Sequence, residues 1–531
     1  MIYKYNNPVL SGFYPDPSIC RVEKDFYLVT STFAYFPGIP IFHSSDLINW
    51  KQIGNAIDRP GQLCYDENQI SEGLFAPTIR YNNGTFYILC TLVKNGGNFI
   101  ITAKDPAGPW SDPVWLEGAP GIDPSIFFDD DGKVWYCGTD SPPDGEAYPG
   151  NKEIYIRQMD LSILSEGKNP LIGKNIGIWQ GALIGAIWSE GPHIYKVGNW
   201  YYLLYAEGGT GLDHAVCVAR AKDICGPWEG KKSNPVITHR HLGKKADIIN
   251  VGHADITDDI NGNWWMVLLA SRQFEGVCPL GRETFMVPIY WEDEWPWFDT
   301  RTGLIESEYC VPVNNRDSLM NNDWYHESSC DQFNGKLPLN WLALRMPVKS
   351  EDAAFSLTKR HGTLRLFTVP QTIRSREHPA FAGRRIRHKN WAFSVSMEFT
   401  PKESSSAGII LLQSEDWHYR LEISSSGGNT KLNLIRAAGK EDEIIAAGPF
   451  DETEKPFVIA AHCIDMKLSF FFGKDQHSMN QFYSGDSANA HILSTEYAGG
   501  FVGSLAGVYA TGNGNTCDNY ADFLWAEYRE L

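Results

Sequence analysis

The chain has 531 residues, too many for one ordinary hydrophobic core, so we expect two or three domains. Its formal net charge of −18, with no basic run, disfavours nucleic acid and anionic membranes as partners. No apolar segment approaches the length of a membrane span. The start, MIYKYNNPVLSG, lacks the pattern of a secretory signal. Eleven scattered cysteines without a CxxC pair favour reduced thiols, and we therefore expect a cytoplasmic protein.

Five related segments follow one another through the first part of the chain. They open at Asp16, Ala76, Asp123, Glu190 and His253. Each continues with a short strand-like run, a tight turn and an aromatic-rich strand, and Asn-Gly or Asp-Gly turns are strong hairpin signals. Their spacing of roughly 50 to 70 residues suits a four-stranded blade. The repeat predicts a five-bladed β-propeller over residues 1–310, with an open series of hairpins in a sandwich as the alternative.

Three of the opening residues are carboxylates: Asp16, Asp123 and Glu190. The innermost strand of a propeller blade lines the central channel, so these side chains are expected at one mouth of that channel. Clustered buried acids cost stability through desolvation and mutual repulsion. Their recurrence at equivalent positions therefore points to function.

The pattern changes after the fifth segment. Residues 311–326 are polar and irregular and predict a linker. Beyond them, short runs such as TLRLFTV, AFSVSMEFT and KLSFFFG alternate with a period close to two. This alternation predicts an antiparallel β-sandwich over residues 327–531. The expected fold class is therefore all-β: a five-bladed β-propeller followed by an antiparallel β-sandwich.

Carboxylates that face each other across a pocket can hydrolyse glycosidic bonds. A protonated carboxyl donates its proton to the leaving oxygen, while an ionised one attacks the anomeric carbon or activates a water. A third acid nearby raises the pKa of the proton donor and keeps it protonated at neutral pH. The residues alone predict a carbohydrate-active propeller without assigning these three roles.

Several motifs together resemble glycoside hydrolase family 43, in its β-xylosidase branch. They are GFYPDPSI, GIDPSIFFDDDG, SEGPHIYK, AEGGTG, THRHLG, VGHADI and LGRETF. The resemblance covers essentially the whole chain and implies a concanavalin-like sandwich. It implies that Asp16 is the general base, Glu190 the general acid, and Asp123 the acid that orients the donor and tunes its pKa. Relatives invert configuration, which places the Asp16 and Glu190 carboxyls roughly 6.5–9.5 Å apart.

The same resemblance implies five substrate-binding residues, each with a structural alternative. Arg282 would reach into the pocket instead of forming a surface salt bridge, and His253 would lie at the channel centre as a functional or a purely structural histidine. Phe33 would form an aromatic wall of the sugar subsite or belong to the ordinary core. Phe75 stands where many relatives have Trp, and Phe501 would reach over the site from the sandwich.

No cofactor is expected to be required. Relatives can carry a structural calcium ion in the sandwich, and Asp331 and Asp522 lie in the corresponding stretches. Cys330 and Leu524 occupy places where relatives often have a second acid, which weighs against calcium because hard cations need several oxygen ligands. The resemblance also implies a homo-oligomer, a dimer or a tetramer.

The leading functional hypothesis is an exo-acting β-xylosidase that removes xylose from small β-1,4-xylooligosaccharides. An α-L-arabinofuranosidase, or an enzyme with both activities, is the alternative, because xylopyranose and arabinofuranose present similar hydroxyl groups. A non-catalytic sugar-binding propeller is a third hypothesis, which the presence of all three acids disfavours.

Overall fold

The computed structural model describes residues 2–298, 302–312, 329–345, 353–439, 441–451 and 455–531. Strands dominate it. Within these ranges, the helical elements are 3-10 turns at Leu161–Glu166, Arg240–Lys245 and Ala490–Leu493 and one short α-helix, α1 (Thr495–Ala498). None of the helices in these ranges is long and apolar enough to cross a membrane. All eleven cysteines lie within the described residues and carry free thiols.

The described residues of the N-terminal half form twenty-four strands, numbered β1 to β24. In chain order they are β1 (Ile2–Asn6), β2 (Ser18–Val22), β3 (Asp25–Val29), β4 (Tyr35–Phe36), β5 (Gly38–Ser44), β6 (Lys51–Ile57), β7 (Gly73–Leu74), β8 (Thr78–Asn82), β9 (Thr85–Val93), β10 (Gly97–Ala103), β11 (Val114–Trp115), β12 (Ile122–Phe128), β13 (Val134–Asp140), β14 (Glu153–Met159), β15 (Leu171–Trp179), β16 (Glu190–Val197), β17 (Trp200–Glu207), β18 (Ala215–Ala221), β19 (Glu229–Gly230), β20 (Ile248–Asp258), β21 (Trp264–Arg272), β22 (Glu283–Glu292), β23 (Trp295–Phe298) and β24 (Glu308–Pro312).

All of these strands except β1, β4 and β24 form five antiparallel blades, which confirms the propeller prediction. The blades are β2-β3-β5-β6, β8-β9-β10-β11 with β7 beside β9, β12-β13-β14-β15, β16-β17-β18-β19 and β20-β21-β22-β23. The first strand of each blade is the innermost, so β2, β8, β12, β16 and β20 approach one another around the channel. The predicted hairpin turns follow these strands. Between β8 and β9, Asn83 and Gly84 both have positive φ, as a two-residue Asn-Gly hairpin turn requires.

The described residues of the C-terminal half form fifteen strands. They are β25 (Ser329–Gln332), β26 (Trp341–Leu344), β27 (Phe355–Ser356), β28 (Leu364–Phe367), β29 (Ala380–Arg385), β30 (Trp391–Glu398), β31 (Ser406–Ser414), β32 (Trp417–Ser426), β33 (Asn429–Ala438), β34 (Asp442–Pro449), β35 (Phe457–Ile464), β36 (Lys467–Gly473), β37 (Asn480–Asn489), β38 (Leu505–Thr511) and β39 (Tyr520–Glu530).

Two sheets pack face to face in this half and confirm the predicted sandwich. One has the order β27-β28-β39-β30-β35-β36-β37, with β25 on β39, and the other runs β34-β33-β32-β31-β38-β29-β26. The period-two alternation observed in the sequence places one set of apolar side chains from each sheet in a shared core.

The two halves are held together by strand pairing and apolar packing as well as by the polypeptide chain. Strand β4 of the propeller pairs with β26 at the edge of the second sandwich sheet. Around this pairing, Phe13, Phe33 and Tyr35 share one buried apolar cluster with Phe381 and other sandwich side chains. This apolar contact fixes the sandwich against the mouth of the propeller channel.

The chain leaves the propeller through β24, which pairs with β1 in an antiparallel strap. Residues 311 and 312, the first two of the predicted linker, belong to this strand. The rest of the predicted linker, residues 313–326, lies outside the described residues, and the domain boundaries stay a prediction.

Candidate active site

Four of the five opening residues coincide with an irregularity in the inner strand or just before it. Asp16, Asp123 and His253 have left-handed backbones, with φ of 53°, 56° and 47°. The ladder shifts register between Ile122 and Ser125, around Asp123, between Glu190 and His193, and on both sides of Gly252. Bulges of this kind re-aim side chains, and left-handed non-glycine residues cluster at functional sites. The bulges at Asp123, Glu190 and His253, and the left-handed backbone of Asp16 just before β2, turn these side chains toward the cavity.

The place of His253 in its strand differs from the prediction that it opens the inner strand of the fifth blade. His253 lies inside β20, which begins at Ile248, instead of opening the strand. The residues before the bulge continue to pair with β21, so this inner strand extends beyond the pocket.

The structure brings all eight predicted site residues together around one cavity of about 460 Å³, a usual size for a small-ligand site. They are Asp16, Phe33, Phe75, Asp123, Glu190, His253, Arg282 and Phe501.

Asp16 is buried and held from three sides. Its Oδ2 accepts a 2.6 Å hydrogen bond from Ser31 Oγ, and its Oδ1 accepts one of 3.1 Å from Arg282 Nη1. His253 Nδ1 lies 3.8 Å from the same Oδ1. Burial raises the pKa of Asp16, but the positive charge of Arg282, with His253 and Ser31, outweighs burial and holds that pKa below its ordinary value. Asp16 is therefore ionised at neutral pH.

The other two carboxyls are shifted in the opposite direction. Burial raises the pKa of Glu190 well above its ordinary value, and the negative charges of Asp123 and Asp16 raise it further. Burial also raises the pKa of Asp123, against the opposing effects of His253 and of the 3.0 Å hydrogen bond from Gly191 N. The cavity therefore holds one carboxyl whose pKa is lowered beside two carboxyls whose pKa values are raised, the combination that an acid–base site needs.

Arg282 lies in the pocket and forms no surface salt bridge, because it is only 8% exposed. Besides Asp16, its Nη1 donates to Thr210 Oγ1 at 2.8 Å, and its Nη2 donates to the carbonyl of Phe501 at 3.2 Å. The guanidinium thus ties a propeller carboxylate to a backbone carbonyl of the sandwich.

Three phenylalanines form the apolar wall of the cavity. Phe33 and Phe501 are stacked, with ring centroids 6.2 Å apart, and Phe75 contacts both rings from the side. Phe33 is almost fully buried, so it serves the core as well as the pocket, whereas Phe501 is 38% exposed. The Phe501 amide is anchored to the propeller by a 3.0 Å hydrogen bond to Ser71 Oγ. The flat faces of this wall suit a sugar ring.

His253 packs against the chain that carries Glu190. A Cβ on Gly191 would stand about 3.0 Å from the His253 ring, so the close approach requires glycine at that position. A second buried histidine, His214, donates from Nδ1 to the carbonyl of Asn250 at 3.1 Å. Burial lowers the pKa of His214 to about 3, so it is neutral near the active site.

Sequence reasoning missed several residues of the site. Trp188 and Thr210 line the cavity, and Ser31 supports Asp16. Thr210 belongs to the AEGGTG motif that the sequence analysis singled out, whereas Trp188 directly precedes the SEGPHIYK motif and was not included in it. Nothing in the sequence around Ser31 distinguishes it from an ordinary strand-end serine.

A buried polar cluster ties the inner strands together. Asp255 accepts hydrogen bonds from Ser18 Oγ at 2.6 Å and from both Nη atoms of Arg80 at 2.7 and 3.0 Å. The hydroxyl of Tyr195 also donates to it, and Arg80 Nη2 contacts His193 Nδ1 at 3.1 Å. These residues belong to β2, β8, β16 and β20, so the cluster joins four of the five blades close in sequence to the pocket residues.

The residues considered for calcium do not fit that ion. Asp331 Oδ2 accepts hydrogen bonds from Trp341 Nε1 and from Arg384 Nη1 at 2.7 and 3.0 Å. Asp522 is held by Arg365 through both oxygens and by Arg360. Guanidinium groups in these places satisfy the carboxylates and repel a cation. Within the described ranges, no group of three or more His, Cys, Asp or Glu residues is arranged to hold a metal ion.

Comparison with known proteins matches both halves of the chain to described families. The sequence model for "Glycosyl hydrolases family 43" matches residues 5–296. The model for "Beta xylosidase C-terminal Concanavalin A-like domain" matches residues 330–529.

Individual relatives align along the full length. A xylosidase/arabinosidase of Butyrivibrio fibrisolvens is 42% identical over 539 residues, covering 99% of both chains. A non-reducing end α-L-arabinofuranosidase of Bacteroides ovatus is 36% identical, covering 99% of this chain and 95% of its own. Among solved structures, a xylan β-1,4-xylosidase from Bacillus halodurans has a TM-score of 0.89 at 29% identity, covering 99% of this chain and all of the other.

Proposed function

The chain belongs to glycosyl hydrolase family 43. We propose that it is an exo-acting, inverting xylan 1,4-β-xylosidase. It releases xylose from the non-reducing ends of β-1,4-xylooligosaccharides. The observation that carries this proposal is the set of three buried carboxyls in one cavity, whose pKa values are shifted in opposite directions. Such a set supplies a base and an acid at the same pH.

In the proposed reaction, Asp16 is the general base and Glu190 the general acid. Asp16 takes a proton from a water whose oxygen forms the new bond to the anomeric carbon. The bond from that carbon to the leaving oxygen breaks, and Glu190 gives this oxygen its proton. Asp123 raises the pKa of Glu190 by its charge and, through the amide of Gly191, fixes the chain that carries the acid.

The shape of the pocket supports removal of a single terminal sugar. The cavity is small, and Phe501 of the sandwich contributes to its wall beside Phe33 and Phe75. The contacts of Arg282 with Asp16, Thr210 and the Phe501 carbonyl leave one N–H of its Nη2, which can donate to a sugar hydroxyl.

The anomer formed first tests hydrolysis and inversion together. Proton NMR during early turnover of an aryl β-xyloside is expected to show α-xylose before mutarotation, because the water attacks from the face opposite the leaving group. β-Xylose as the first product would mean that Asp16 acts as a nucleophile and that the base assignment is wrong.

An α-L-arabinofuranosidase is the second candidate. The name of the Butyrivibrio relative includes both activities, and that of the Bacteroides relative includes arabinofuranosidase alone. The specificity constants for aryl β-xyloside and aryl α-L-arabinofuranoside, measured on the same preparation, separate the candidates. We expect the xyloside to be preferred, and a higher value on the arabinofuranoside would reverse the order. Phe75→Trp is the variant to compare, since it enlarges the stacking face beside Phe33.

The pH profile of kcat/KM is expected to be bell-shaped, limited by Asp16 in acid and by Glu190 in base. Arg282→Met should move both limbs to higher pH, since the positive charge of Arg282 lowers the pKa of both carboxyls. The lost contacts should lower kcat/KM about 10- to 100-fold. Arg282→Lys keeps the charge and should hold the limbs closer to their original places. Limbs that do not move in Arg282→Met would contradict this electrostatic role.

We also propose that the enzyme acts in the cytoplasm as a dimer or tetramer on small oligosaccharides. Light scattering of the purified protein tests the oligomeric part of this proposal.

A further inference from the structure

A second cavity lies directly behind one wall of the first. It has a volume of about 710 Å³ and lies between the third and fourth blades, at the same end of the propeller. Ile187 and Gly208 line this second cavity, while the next residues, Trp188 and Gly209, line the catalytic cavity. Gly208 N donates a 2.9 Å hydrogen bond to Ile187 O. One hydrogen-bonded pair of chain segments is therefore the partition between the two cavities.

The partition is next in sequence to the proposed general acid, Glu190. Glu190 must reach the leaving oxygen to protonate it, and Trp188 precedes Glu190 by two residues on the same segment. The Trp188 side chain is 41% exposed and its backbone is left-handed, with φ of 54°. Its ring edge lies 3.2 Å from where a Cβ on Gly209 would stand, and the Lys152 ammonium lies 5.1 Å from the ring centre. An indole held in this way offers a flat face on which a sugar ring can stack at the edge of the catalytic cavity.

The lining of the second cavity combines apolar surface with uncommitted polar groups. Leu183 is 75% exposed and Ile184 fully exposed, which is unusual for side chains of their size. Within the described part of the chain, the side chains of Asp213, Lys232 and Arg240 line the same cavity without a hydrogen bond or ion pair. Apolar faces with a few free hydrogen-bonding groups are the usual equipment of an oligosaccharide site.

We propose that the second cavity binds the leaving-group end of the oligosaccharide substrate. The xylose units beyond the cleaved bond cross Trp188 and enter the space between the third and fourth blades. This inference rests on the proposed function, because the position of Glu190 as the acid sets the direction in which the substrate leaves. Its consequence is a preference for longer substrates that the catalytic cavity alone does not explain.

The test compares a short and a long substrate in one variant. Asp213→Ala combined with Arg240→Ala should lower kcat/KM on xylotetraose about tenfold, since two hydrogen-bonding groups are lost. The same variant should change kcat/KM on 4-nitrophenyl β-xyloside less than about twofold, since this substrate ends before the second cavity. Lys244→Ala with Lys245→Ala is the matched control, because these exposed lysines follow Arg240 in the same 3-10 segment but do not line the cavity. Equal effects on both substrates, or no effect on xylotetraose, would overturn the proposal.

A binding measurement separates failure of this inference from failure of the proposed function. Wild-type turnover of the aryl xyloside reports on the proposed function alone. Calorimetry of xylotetraose and xylobiose with Glu190→Gln reports on the second cavity without turnover, and the tetraose should bind about tenfold more tightly. Equal affinities would reject the second cavity even if hydrolysis is confirmed. If Leu183→Ser with Ile184→Ser converts an oligomer to monomers, a second copy covers the cavity and the proposal is wrong.

Discussion

Asp16→Asn is expected to lower kcat on xylobiose about 1,000-fold, because a neutral amide cannot take the proton of the attacking water. Glu190→Gln should lower kcat on xylobiose by a similar factor, because a sugar leaving group needs a proton. Glu190→Gln preserves size and removes a carboxyl whose burial opposes its charge, so its thermal unfolding should stay near or above the wild-type temperature. Asp16→Asn also preserves size but leaves the buried Arg282 guanidinium without its counter-charge, so it should unfold at a somewhat lower temperature. The measurement is initial rate on xylobiose at neutral pH.

The choice of leaving group distinguishes the two roles. 4-Nitrophenolate leaves without protonation, so Glu190→Gln should lose only about tenfold on the aryl xyloside, whereas Asp16→Asn should lose as much as on xylobiose. Asp130→Asn is the matched control, since Asp130 is an exposed acid of the third blade outside the cavity. Near-normal turnover of xylobiose by either active-site variant would contradict the mechanism.

Arg80→Met is expected to lower the free energy of unfolding by about 3–5 kcal/mol at neutral pH. Asp255 is fully buried, and Arg80 provides its main counter-charge together with two hydrogen bonds. Removing the guanidinium leaves a carboxylate uncompensated in the propeller interior, which costs more than the net value of the pair. Urea denaturation measures the change, provided that the slope with urea stays constant.

Arg21→Met supplies the control for this prediction. Arg21 also joins β2 to β20, through Asp258, but both side chains of that pair are partly exposed to solvent. A loss of no more than about 1 kcal/mol is expected for such a pair. If Arg80→Met and Arg21→Met have equal effects, the buried cluster does not hold the inner strands together.

The pH dependence of the Arg80→Met effect has a definite sign. Burial raises the pKa of Asp255, but Arg80, His193 and hydrogen bonds hold it well below its ordinary value. Ionised Asp255 therefore stabilises the folded protein fully at pH values above the pKa that an aspartate has in the unfolded chain, about 3.9. This stabilisation is lost as the pH falls through the lower pKa of Asp255 in the folded protein. The gap between wild type and Arg80→Met should be largest above about pH 4 and should narrow in stronger acid.

The five repeats predicted the architecture because each repeat is a local pattern. A hairpin turn and an alternating strand depend on neighbours in the sequence, so Asn83 and Gly84 could be interpreted without knowing the fold. The shared position of Asp16, Asp123 and Glu190 followed once the repeats were aligned. The family resemblance supplied Arg282 and the phenylalanines, which no local pattern marks.

The remaining contacts could not be predicted, because they join residues far apart in the chain. Arg80 and Asp255 meet across 175 residues, and Arg282 and Thr210 across 72. Ser31 supports Asp16 through a side-chain hydrogen bond that depends on how the first blade closes. The bulges were also hidden, because a left-handed Asp or His has no sequence signature comparable to that of glycine.

The pairing of β4 with β26 has a consequence for how this enzyme can be shortened or recombined. A fragment cut after the propeller would expose an apolar edge at Tyr35 and would lose the carbonyl of Phe501 to which Arg282 donates. Exchanging the sandwich for that of a relative would replace one wall of the sugar pocket together with the propeller's support. The catalytic unit is therefore the whole chain, and variation at Phe501 should be screened jointly with variation at Phe33 and Phe75.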